Sequence, residues 1–115
     1  MSHYLCEVKD VTATGKEVCL KTDHGSIYVM LFQHAGNVRA FLNVCPHQGR
    51  PLNWAPDRFL FSPERLLVCA QHGATFELDS GECVAGPCRG ARLRQLATRL
   101  EGDAIWLDED LTPGN

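Results

Sequence analysis

The chain has no apolar run long enough to cross a bilayer, and its first residues carry no apolar signal-peptide core. Helical periodicity is missing too, as are internal repeats and low-complexity segments. Basic charge is scarce: 11 Lys and Arg stand against 14 Asp and Glu, a formal net charge of −3. That balance excludes the basic stripe a nucleic-acid-binding domain needs. With 115 residues there is room for one domain, and a 44 % apolar content suffices for a modest core. These absences lead to a cytoplasmic expectation. In that compartment the six cysteines read as metal ligands plus reduced thiols, not as a disulfide framework.

What is present is strand-like throughout. Tyr4–Val8, Glu17–Thr22, Ser26–Gln33 and Val38–Asn43 alternate or are rich in β-branched and aromatic residues. Asp23-His24-Gly25 and His34-Ala35-Gly36-Asn37 separate them as turns. Residues 45–65 contain four prolines and read as loop, with a turn at Pro63-Glu64-Arg65. Leu66–Val68, Thr75–Leu78, Glu82–Val84, Leu96–Leu100 and Ala104–Leu107 complete an all-β pattern. Antiparallel sheets or a sandwich are expected.

Two short motifs carry the chemistry: Cys45-Pro46-His47-Gln48-Gly49 and Cys69-Ala70-Gln71-His72-Gly73. Each offers a thiolate and an imidazole, so the four candidate ligands are Cys45, His47, Cys69 and His72. Such a donor set suits zinc or a [2Fe–2S] centre in which two His replace two Cys on one iron. The order favours the cluster. Zinc fingers usually run Cys-Cys then His-His, whereas here Cys precedes His twice, as if each loop gave one ligand to each iron. Gly49 and Gly73 follow the pairs, where a loop wrapping a cluster needs backbone freedom.

The segments CPHQGRPL (45–52), CAQHGATF (69–76) and DSGECVAGP (79–87) resemble the small Rieske-type ferredoxins. The resemblance implies a Rieske fold in which a cluster-binding subdomain, about residues 44–88, is built from two ligand loops within a single domain over 1–115. It implies one [2Fe–2S] cluster, with Cys45 and Cys69 on the inner iron and His47 and His72 on the outer one. Gly86-Pro87 resembles the proline loop that covers the cluster in this family.

The resemblance also sorts subtypes. The high-potential respiratory type carries an extra, disulfide-bonded Cys in each ligand loop; Arg50 and Gln71 hold those positions here. That type also has a Ser and a Tyr whose hydroxyls bond cluster sulfur, and Ala74 and Phe76 stand there. The chain thus resembles the low-potential, soluble ferredoxins that carry single electrons from a reductase to an oxygenase, and it is not expected to be an enzyme by itself. A monomer is favoured, with no nucleic-acid or membrane partner. The alternative is a Rieske-type small subunit of a nitrite-reductase-like enzyme; a non-redox zinc module and a redox sensor come after it.

One departure is the spacing. His47 and Cys69 are separated by 21 residues, more than is usual in the soluble ferredoxins of the family. Trp54, Phe59 and Phe61 fall in the extra length, as a docking patch or, by preference, a satellite core beneath the loop. Cys6 and Cys19 are expected to be buried in strands, and Cys83 and Cys88 to serve packing. His3, His24 and His34 read as solvated. Arg89, Arg92, Arg94 and Arg99 read as a solvated strand face or a docking surface.

Overall fold

The computed structural model describes residues 3–22, 25–46, 51–70 and 73–109. Ten strands run in chain order: β1 (His3–Glu7), β2 (Lys16–Thr22), β3 (Gly25–His34), β4 (Asn37–Leu42), β5 (Leu60–Phe61), β6 (Leu67–Val68), β7 (Thr75–Phe76), β8 (Cys83–Ala85), β9 (Thr98–Glu101) and β10 (Ala104–Leu107). A three-residue 3-10 turn, Val8–Asp10, follows β1. The strands form three antiparallel sheets, ordered β1-β10-β9, β2-β3-β4 and β5-β6-β7-β8.

The middle of β3 organises the molecule. Val29, Met30, Leu31 and Phe32 are all fully buried. Side chains alternate across a strand, so a four-residue apolar run needs a core on each face. Val29 and Leu31 pack with Leu5, Ile105 and Leu107 of the β1-β10-β9 sheet. Met30 and Phe32 join Phe41 and meet Leu67, Phe76 and the cysteines of the small sheet. One strand therefore floors both cores. The outer edge of β4 is closed by the chain around Gln95, where Leu42 N–H donates to Arg94 (2.9 Å) and Leu96 N–H to Ala40 (2.9 Å).

The region read as loop contains structure. Ser62 N–H donates to the Leu66 carbonyl at 2.9 Å and closes a hairpin between β5 and β6. Phe59 and Phe61 stack edge-on against Phe32, with centroids 5.0 and 5.8 Å away, so they belong to the core as the satellite reading held. Trp54 stays 60 % exposed. Asp57 ties this segment to β2 by accepting from Glu17 N–H at 2.7 Å.

Some smaller expectations fail. Cys6 is buried, but Cys19 is exposed: it pairs with the exposed Tyr28, further along the face that Met30 and Phe32 bury. His3 and His34, read as solvated, are half-buried, His34 with Nε2 3.5 Å from Asp79, and His24 lies outside the described residues. In the arginine stretch, Arg94 pairs with Glu109 (2.6 Å), Arg99 with Glu101 (2.6 Å) and Asp108 (3.2 Å), while Arg89 and Arg92 are exposed.

Candidate metal centre

The first candidate loop leaves β4. Phe41, Asn43 and Cys45 continue the strand's alternation inward and are 0, 3 and 1 % exposed. Asn43 is the buried polar residue of this set, and its amide is fully used. Its Nδ2 donates to Glu17 Oε2 and Asn53 Oδ1, both at 2.9 Å, and its Oδ1 accepts from Leu52 N–H at 2.8 Å. Asn43 and Leu52 are thereby held together.

The second loop begins where β6 ends. Cys69 N–H donates to the Ala74 carbonyl at 2.7 Å, and Gly73 N–H donates back to the Cys69 carbonyl at 3.0 Å. This tight return requires Gly73 to adopt φ +76°, which a side chain would strain. The two loops are fastened to each other as well: Ala70 N–H donates to the Leu52 carbonyl at 3.0 Å. A single chain of bonds thus runs from Asn43 through Leu52 to the residue after Cys69.

A third segment, Gly86-Pro87, lies on the second loop. Gly86 has φ +97°, and a Cβ there would sit 2.7 Å from the Ala74 Cα and 3.2 Å from its nitrogen. Only glycine permits that approach.

The thiols of Cys45 and Cys69 are each 1 % exposed and belong to one core with Leu52, Ala74 and Phe76. Soft thiolate donors in an apolar shell suit an iron–sulfur cluster, and burial there is tolerated because the metal takes the charge. His47, His72 and Gly49 lie outside the described residues, as do Arg50 and Gln71.

Two more cysteines share this core. Cys88 donates to Cys83 Sγ at 2.9 Å, and Cys83 donates to the Ala85 carbonyl at 3.3 Å. Burial pushes the Cys88 thiol up to about 12, helped by its contacts with Cys83 and Cys45. The six cysteines, all within the described residues, carry no disulfide.

Sequence reasoning missed Asn43. The signal was present: an Asn at an inward position, two residues before the first Cys, must find buried partners. It also treated Cys83 and Cys88 as separate packing residues, since their spacing fits no metal motif.

The model of the Rieske [2Fe-2S] domain family matches residues 2–99. Among solved structures, the fold is similar to the ferredoxin of carbazole 1,9a-dioxygenase from Nocardioides aromaticivorans IC177, at 20 % identity and TM-score 0.70, covering 93 % of this chain and 96 % of that one. The Sphingomonas yanoikuyae B1 ferredoxin is similar at 19 % identity and TM-score 0.71, with 96 and 100 % covered. The terminal oxygenase of carbazole 1,9a-dioxygenase from Novosphingobium sp. KA1 matches at 22 % identity and TM-score 0.74, over 99 % of this chain. The chain spans only 31 % of that oxygenase's length. No curated protein matches the sequence.

Proposed function

Because the chain belongs to the Rieske [2Fe–2S] domain family, we propose that it carries single electrons from a reductase to an oxygenase, and that Cys45, His47, Cys69 and His72 hold its cluster. The family's cofactor is one Rieske-type [2Fe–2S] cluster, which when bound takes up and gives back one electron. In this reading the thiolates of Cys45 and Cys69 hold the inner iron, and the imidazoles of His47 and His72 hold the outer one. Gly49, Gly73, Gly86 and Pro87 shape the loops around it.

The observation that carries the ligand assignment is the joining of the two loops. Asn43 closes the first, Ala74 closes the second, and the Leu52–Ala70 bond joins them with both thiols buried beneath. Preorganised ligands bind metal with little reorganisation. The apolar shell keeps water from the thiolates. Ala74 and Phe76 are fully buried and offer no hydroxyl, which supports a low potential within the family.

The carrier role rests on likeness. Full-length similarity to ferredoxins, one of them from a dioxygenase system, supports it over an oxygenase role. Among the described residues no helix is long and apolar enough to cross a membrane. The reading adds one domain over 1–115, a cluster subdomain at about 44–88, a cytoplasmic location and a monomer.

Its test is spectroscopic. The purified protein should be red-brown, hold two irons, and give a rhombic EPR signal when reduced. His47→Ala and His72→Ala should abolish or alter that signal. Two variants with unchanged spectra would remove the ligand assignment. The carrier role is checked separately, by stopped-flow reduction with a ferredoxin reductase and reoxidation by an aromatic-ring oxygenase.

A further inference from the structure

Cys83 and Cys88 bracket the segment that lies on the second ligand loop. Cys83 ends 1 % exposed and Cys88 8 % exposed. Their sulfurs are 2.9 Å apart, inside van der Waals contact and within about 1 Å of a disulfide's ~2.05 Å bond. The backbone holds them there. Cys83 N–H donates to the Ala91 carbonyl (2.8 Å), its carbonyl accepts from Gly90 (3.1 Å), and the Cys88 carbonyl accepts from Ala91 (2.9 Å). Both residues share one buried core with Cys45 and Cys69, the candidate cluster ligands.

We propose that Cys83 and Cys88 form a reversible dithiol–disulfide couple whose state shifts the reduction potential of the cluster, with a low-molecular-weight disulfide as its oxidant. Cys88, the more accessible, attacks one sulfur of the external disulfide and releases the first small thiol. Cys83 then attacks the Cys88 sulfur of the mixed disulfide and releases the second. Two protein thiols lose two electrons and two protons to become one S–S bond. The external disulfide gains both and becomes two thiols.

The link to the cluster is the core shared with Cys45 and Cys69, together with the close approach of Gly86 to Ala74 of the second loop. Closing the disulfide replaces the Cys88–Cys83 S–H contact by an S–S bond within that core, and the surroundings of the cluster sulfurs change. It also ties the two ends of Val84–Pro87 together and stiffens the arch over Ala74.

This coupling rests on Cys45 being a cluster ligand, whereas the thiol chemistry does not. The test equilibrates the iron-loaded protein under argon in glutathione buffers from fully reduced to fully oxidised. Thiols are then alkylated and mapped by peptide mass spectrometry, with iron content and film voltammetry on parallel samples. The expected result is a Cys83–Cys88 cross-link in oxidising buffer, a shifted cluster potential, and reversal of both by reducing buffer. Cys83→Ser and Cys88→Ser should lose the buffer-dependent shift. Full alkylation of both cysteines in every buffer would overturn the proposal, and so would a cross-link that leaves the potential unmoved or forms only after iron is lost. The wild-type protein alone decides between these outcomes, even if a variant fails to fold. A protein that never holds iron would instead fail the ligand assignment, while the thiol map still reads the pair.

Discussion

The two cores on either side of β3 are built by different means. On the β1-β10-β9 side, strands of four to ten residues pair in long registers, and the core contains Leu, Ile, Val and Ala with one cysteine. On the other side, β5 to β8 are two or three residues long, and four of the core's residues are cysteines. Loops there are held by side-chain amides, tight returns and a glycine contact. The lesson is a division of labour. The first half is stabilised by ordinary apolar burial, and the second keeps its short strands together only where specific bonds, and a bound metal, tie the loops.

The strongest way to break this contrast is to remove the iron. Chelation after reduction should abolish amide-exchange protection in β6, β7 and β8, while β2, β3 and β10 stay protected. Hydrogen exchange with and without chelator measures it. Uniform loss across all ten strands would mean the halves are one cooperative unit.

Single substitutions sharpen it. Leu31→Ala should cost about 2–5 kcal/mol and do so equally with and without iron, because Leu31 faces the metal-free core. Asn43→Ala should cost about 1–3 kcal/mol, since it leaves the buried Leu52 N–H unpaired, and should speed iron release. Denaturant titrations of both forms, with iron-release kinetics, separate the two behaviours.

The potential tests the apolar shell. Rieske centres span roughly −150 to +300 mV, and this one should lie below about +150 mV. Ala74→Ser and Phe76→Tyr put hydroxyl donors into fully buried positions and should raise it, with the fold unchanged by circular dichroism. A wild-type midpoint in the upper half of that range would contradict the low-potential assignment.

The smallest effect concerns Thr75, whose hydroxyl is buried with no hydrogen-bond partner among the described residues. Thr75→Val keeps the shape, removes an unpaired polar group and should stabilise the small sheet by about 1 kcal/mol. Thermal melts of the iron-loaded protein would show it. An unchanged or lower melting temperature would mean the hydroxyl has a partner.

Much of this was legible from spacing. Strands β2, β3, β4 and β10 were bounded to within a residue or so, because alternation and β-branched residues report a half-buried surface directly. The turn at Pro63-Glu64-Arg65 and strand β6 were read, but its partner β5 was not, since a two-residue strand carries no period and the prolines around it read as loop. Cys19 was misjudged because a strand's sequence does not say how far along a face the cover will reach.

The sequence by itself determined the all-β class, the two Cys-x-His-type motifs and the family they belong to, because ligand order and spacing are covalent facts. Only the tertiary structure decided the rest. It drew Asn43, Leu52 and Ala70 into one hydrogen-bonded line, laid Gly86 against Ala74, and set Cys83 and Cys88 2.9 Å apart in the core that also holds Cys45. Those contacts join residues whose mutual approach is fixed by how the small sheet folds over Met30 and Phe32, and no local pattern encodes that distance.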